Sequence, residues 1–155
     1  MQSSIHEIKN RDIRLREIAK YYAGLSAAER AQTAIITATN RDRITINNNV
    51  REILKERGEL SNGHVFEVID GKGNVQDKEF AVGDKVIFLR KKEISGHLVM
   101  KNDIGIVRKI DKRTIVGVRG SGFFSEDHLS LKIETRGKNI VVNSDEYNYL
   151  DYCYC

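Results

Sequence analysis

The chain has 155 residues, 26 of them basic and 22 acidic, with a net charge of +4 and a sequence pI near 9.1. That length suits one domain, or one small domain with a helical annex, and buries roughly 70% of the unfolded surface. No apolar run approaches the ~18 residues of a membrane span, and Met1–Asn10 carries no apolar signal segment, so the expectation is a cytoplasmic protein with no membrane partner.

Residues 1–60 read as helices set around one strand. Ile5, Ile8, Ile13, Leu15, Ile18, Ala19 and Tyr22 recur at spacings near three and four, and Gly24 ends the pattern. Ser26 and Glu29 in "SAAE" have the form of a capping box, in which hydroxyl and carboxylate each satisfy the other's amide. "TAIITA" (Thr33–Ala38) is short, β-branched and apolar on both faces, which predicts a buried core strand. Thr39 or Asn40 then supplies an N-cap, Ile44, Val50, Ile53 and Leu54 form a helical stripe, and Gly58 is placed to end it.

From His64 the period switches to two. "HVFEVID" and "VQDKEFAV" flank the turn sequence "GKGN". "DKVIFLR", "GHLVM", "IGIVRKI", "TIVGVRG", "LSLKIET" and "NIVVNS" follow, broken by "KND", "DKR", "GSG" and "RGK". Strands at about ten-residue intervals predict a small antiparallel β-barrel of about five to seven strands. The fold class is therefore α+β: N-terminal helices with one core strand, joined to a small barrel. The domain reading is 1–60, 61–145 and a return strand at 146–155, with "GELSNG" (Gly58–Gly63) as the first boundary.

Few motifs carry chemistry. Cys153 and Cys155 are too few and too close for a structural zinc site, which takes four ligands, and His97 and His128 complete no metal pattern. They read instead as incidental thiols at a loose end, able to crosslink two chains on oxidation. There is no G-x-S-x-G elbow and no G-x-x-x-x-G-K-[ST] phosphate loop, so neither a metal nor a nucleotide cofactor is expected in this chain alone. "FLRKKEISGHLVMKND" is the best anion site: Arg90, Lys91, Lys92 and Lys101 bracket a β-loop-β tip with Asn102 at the turn. The plainer account of that stretch is a solvated charged loop.

Three stretches bear a family resemblance. Leu25–Leu60, with its apolar strand, Thr-Asn, Arg, Asn and a helix closing in Gly-Glu-Leu, resembles the motif IV segment of conjugative relaxase–helicases, the TraA/TraI-like proteins. "EFAVGDKVIFLR" followed by "LVMKNDIGIVRKI" is similar to strand pairs of their inserted barrel. "EYNYLDYCYC" is similar to the approach to motif V. The chain departs from the pattern at Cys153 and Cys155, where Gly and Ala are usual, and at Asp103, where Gly is usual. The resemblance, to RecD-like superfamily 1 helicases, implies a fragment of a conjugative DNA helicase, non-catalytic alone. Walker A and B would lie before Met1 and motif V after Cys155, and the intact family uses ATP and magnesium. It also implies weak, sequence-independent single-stranded DNA binding at Arg90, Lys91, Lys92, Lys101 and Asn102. Thr39, Asn40, Arg43 and Asn47 match the motif IV loop that faces the nucleotide cleft, here an incomplete cofactor site; for Thr39 and Asn40, helix capping accounts for the residues equally well. A separate chain carrying the rest of the helicase is an implied partner. The competing expectation is a protein-interaction module whose exposed strands, Thr33–Ala38 and Tyr149–Cys155, pair with another chain, as in a homodimer.

Overall fold

A computed structural model describes the backbone from Ile5 and the side chains from Asn10 to Cys155. The chain is α+β and divides into two compact units, residues 1–60 together with Tyr152–Cys155, and Ser61–Asp151.

The first unit is built on helices α1 (Ile5–Gly24), α2 (Ala27–Ala31) and α3 (Asn40–Glu56). α1 packs on α3. Its buried stripe is Leu15, Ala19, Tyr22 and Ala23, whereas Ile13 and Ile18 face solvent. The side chains of Ile5 and Ile8 lie outside the described residues. On α3 the buried positions are Ile46, Asn47, Val50, Arg51 and Leu54, a stripe shifted from the expected one, and Ile44 is exposed. Three of these helix ends have a clear chemical cause. Ser26 and Glu29 form the capping box, with the Glu29 amide donating to Ser26 Oγ at 3.2 Å and the Ser26 amide to Glu29 Oε1 at 3.1 Å. Thr39 caps α3, its Oγ1 accepting from the Asp42 amide at 3.2 Å. Gly58 ends α3 at φ +74°, the left-handed conformation that costs glycine least. There the Glu59 amide donates to Leu54 O at 2.9 Å and the Gly58 amide to Lys55 O at 3.0 Å, which is a Schellman stop.

Two expectations fail in this unit. Thr33–Ala38 is not a buried strand: it is extended, joins no sheet among the described residues, and leaves Ile36 89% exposed. A segment apolar on both faces becomes a core strand only where other strands and layers cover it, and the described residues of this unit supply none. The closing residues are not a loose end either. Tyr152 and Tyr154 are buried, Tyr154 meets Tyr22 edge to face at 6.0 Å, and Arg51 stacks on Tyr152 at 4.4 Å. Cys153 and Cys155 are half-buried thiols, and Cys155 Sγ lies 3.6 Å from Thr37 Oγ1.

The second unit is β-rich. β1 (His64–Ile69) and β2 (Val75–Phe80) form one hairpin, and β4 (Lys92–Ile94) and β5 (His97–Val99) a second. A five-stranded sheet runs in the order β8 (Lys138–Asn143), β7 (Gly122–Thr135), β6 (Ile104–Arg119), β3 (Lys85–Phe88), β9 (Leu150–Tyr152). Among the described residues these ladders form one open sheet and two ribbons rather than a closed barrel. Phe80, Val86, Phe88, Val107, Leu131, Ile133 and Val142 fill the core, each contributing roughly 1.5–3 kcal/mol through burial. Asp84, itself fully buried, shapes the turn before β3 by accepting from the Ala81 amide at 2.8 Å, with Gly83 at φ +101°.

β6 and β7 overrun the predicted strands. "DKR" was expected as a break, yet the ladder passes through it, pairing Lys112 with Leu129 and Arg113 with His128. Charged residues break a strand only where they would be buried. Here Asp111, Lys112 and Arg113 are all exposed, and cross-strand bonds from Thr114 and Lys112 to Asp127 replace the missing core. The same bonds hold the Asp127 carboxyl below its ordinary pKa, the Thr114 hydroxyl being the larger cause. The result is a long two-stranded arm that turns at Gly120.

Candidate nucleic-acid interface

The basic stretch folds back on itself. The Asn102 amide donates to Phe88 O at 2.7 Å and the Phe88 amide to Asp103 O at 2.9 Å, so the two ends of the segment meet beside β3. Asn102 sits at φ +72°, a conformation asparagine tolerates better than most residues. Asp103, where glycine was expected, is buried. It accepts from the Met100 amide at 2.9 Å and from Arg136 at 2.7 Å, which locks the turn beneath Lys101. Between these ends the β4–β5 ribbon turns at Ser95 and Gly96, with Ile94 and Val99 buried beneath it. Arg90, Lys91, Lys92, Lys101 and Asn102 all face solvent. The structure therefore carries the five predicted residues on one closed segment.

Sequence reasoning missed the aromatic backing. Tyr147 accepts from the Arg90 amide at 3.1 Å and donates to the Arg90 carbonyl at 2.6 Å, clamping the backbone at the start of the loop. Burial raises the Tyr147 pKa above its ordinary value. Tyr149 carries the Arg90 guanidinium over its ring at 4.4 Å and meets Tyr147 edge to face at 5.6 Å. Lys92 Nζ donates to Glu146 O at 2.6 Å. A signal existed in the alternation Tyr147-x-Tyr149, which puts both rings on one side of an extended chain, but nothing local in that stretch brings that side to Arg90.

The other predicted set lies in the first unit. Thr39 and Asn40 open α3; Asn40 Oδ1 accepts from Arg43 Nε at 2.9 Å. Asn47 is one turn further along and 2% exposed, and its Oδ1 accepts from the Tyr154 and Cys155 amides at 3.0 and 2.8 Å. Thr39, Asn40 and Arg43 are thus gathered at the helix start, while Asn47 is spent on the chain's own backbone.

Fold and site together define an α+β protein of two units, one of which bears an exposed basic loop with tyrosines behind it. The chain is TraA-like in sequence. It is 32% identical over 122 residues, 79% of this chain, to the conjugal transfer protein TraA of Agrobacterium fabrum (strain C58), and 30% identical over 128 residues, 81% of this chain, to the conjugal transfer protein TraA of Rhizobium radiobacter. It spans only 9% and 10% of those relatives. No family model matches the chain, and no solved structure matches it. No described helix is long and apolar enough to cross a membrane.

Proposed function

We propose that this chain is a conjugation-related segment of a RecD-like relaxase–helicase, and that it gives weak, sequence-independent contact to single-stranded DNA through Arg90, Lys91, Lys92, Lys101 and Asn102. The observation that carries the reading is Arg90 stacked on Tyr149 among lysines that face solvent. Cations beside an aromatic platform are what backbone phosphates and unstacked bases both favour. The name of the relatives, conjugal transfer protein, agrees with a role in handling transferred DNA. In this reading the second unit is the small barrel-type insertion of the motor, and ATP and magnesium chemistry belongs to the rest of such a protein. The chain alone is non-catalytic. Thr39, Asn40 and Arg43 are half of a nucleotide site whose other half a phosphate loop would supply, in a cytoplasmic setting.

The test is a salt titration with a labelled oligothymidine, read by anisotropy and by amide resonances of residues 90–102. Affinity should fall with a slope near −0.7 per phosphate contact in log–log form, and those resonances should move at low salt. Oligothymidine that moves none of them overturns the reading.

A second reading rests on Ile36. Its exposure of 89%, on an extended segment outside every described sheet, suits strand addition by a second polypeptide, either another copy or a chain holding the rest of the motor. A dimer in scattering, with no DNA binding, would favour it.

A further inference from the structure

The β6–β7 arm is not used by the basic loop, and its two surfaces differ in chemistry. Direct cross-strand partners point to the same side of an antiparallel pair. Val116, Val118 and Phe123 therefore share one surface, and Arg113, Ile115, Gly117, Arg119, Phe124 and His128 the other. On that second surface Phe124 lies over Gly117, where a Cβ would come within 2.5 Å of the ring. Only glycine leaves room for the ring to lie down across the neighbouring strand. Arg119 then stacks its guanidinium on Phe124 at 5.0 Å.

Toward the root of the arm the same surface opens into a cavity of about 180 Å³, lined by Arg113, Ile115, His128, Ser130, Asn143 and Asp145, with Leu129 also at its wall. Drug-sized ligands occupy sites of ~300–1,000 Å³, so this one suits a single planar ring. Ile115 gives it an apolar wall, and Asn143 and Ser130 give donors and acceptors. Asp145 lies 3.8 Å from His128 Nδ1, and Glu126, which faces Ile115 across the ladder on the same surface, lies 3.4 Å from His128 Nε2. Elsewhere on the arm Arg108 pairs with Glu134, Lys109 with Asp111 and Lys112 with Asp127. Among the described residues, Arg113 and Arg119 meet no carboxylate. Six residues of strand separate them, roughly 20 Å, with the Phe124 ring, opposite Gly117, between them and the cavity at the Arg113 end.

We propose that this surface of the β6–β7 arm is a second binding track for single-stranded DNA, in which Arg113 and Arg119 hold phosphates, Phe124 stacks a base and the cavity beside His128 receives another. This rests on the reading of the chain as a DNA-contacting segment, and adds a track separate from Arg90–Asn102. Aromatic stacking with unpaired cations at intervals is how strands are followed without regard to sequence.

The whole chain is titrated with labelled oligothymidine at several salt concentrations. Arg113→Gln with Arg119→Gln should flatten the salt slope by about 1.4, two contacts at ~0.7 each. Phe124→Leu keeps apolar volume but loses the ring, and should weaken binding at least about fivefold. With an abasic oligonucleotide the Phe124→Leu chain should bind like the wild type, a result that mere loss of stability would not give. Phe123→Ser, on the opposite surface, should leave affinity unchanged. If the arm variants bind like wild type while Lys91→Gln with Lys101→Gln loses affinity, the track is refuted and the basic loop stands. Sensitivity at Phe123 but not Phe124 also refutes it, in favour of a contact on the Val116–Val118 surface. A wild-type chain that binds no oligothymidine at low salt refutes track and loop together.

Discussion

The loop that opens α3 and the loop from Arg90 to Asn102 are both clusters of polar and basic residues to which the family resemblance assigns a role. They end differently. In the first, Thr39 caps a helix, Asn40 holds Arg43, and Asn47 is buried as the acceptor for two backbone amides. In the second, the backbone, Asp103 and Tyr147 carry folding bonds and Lys92 and Arg90 rest on Glu146 O and Tyr149, while Lys91, Lys101 and Asn102 keep their side chains in solvent. A polar residue already occupied in holding the fold has less left to offer a ligand. What separates the two loops is therefore which groups carry the folding bonds, and this can be tested by removing them.

The largest effect is expected at Asn47. Asn47→Leu leaves the Tyr154 and Cys155 amides buried without their acceptor, and should cost about 2–3 kcal/mol in denaturant unfolding, with single-stranded DNA affinity of the folded chain unchanged. The next concerns Tyr22, whose hydroxyl donates to Arg30 O at 3.0 Å. Burial pushes its pKa up to about 12 from an ordinary 10.0. Between these values the unfolded chain ionises while the folded chain does not, so the unfolded state binds fewer protons and stability falls as pH rises. Unfolding free energy should be insensitive to this group below pH 10 and decline from there toward 12, and Tyr22→Phe should remove that decline. A smaller loss, about 1 kcal/mol in thermal melts, is expected for Thr39→Ala through the lost cap. Smallest for stability is Lys91→Gln with Lys101→Gln, within about 0.5 kcal/mol. That pair should instead reduce the salt slope of oligothymidine binding by about 1.4. If Thr39→Ala weakened DNA binding and the lysine pair did not, the contrast between the loops would be reversed.

Much of the fold was legible because local chemistry decided it. Ser26 with Glu29, Thr39 and Gly58 mark helix ends that the structure places at those residues, since caps depend on neighbours within a few positions. The turn at "GKGN" was readable for the same reason: the Asp70 carboxylate accepts from the Lys72 and Asn74 amides at 2.8 and 2.9 Å, and those bonds lower its pKa. Thr33–Ala38 was misread because burial on both faces is a property of neighbours, which a six-residue pattern cannot report. "DKR" is no break in the arm, because an exposed ladder accepts charge when opposite signs face each other. Of the candidate site, the cations were visible in sequence and their tyrosines were not. Tyr147 and Tyr149 reach Arg90 across 57 and 59 residues, a distance no local pattern spans.

The bond from Asn47 to the Tyr154 amide joins positions 107 residues apart, and everything between Leu60 and Tyr152 belongs to the other unit. The helical layer is thus a discontinuous module whose last pieces leave the ribosome at the very end of this stretch. Domains generally fold as they emerge, earliest first; here the order is inverted, because α1 and α3 lack Tyr152 and Tyr154 until the whole of the other unit's chain has been made.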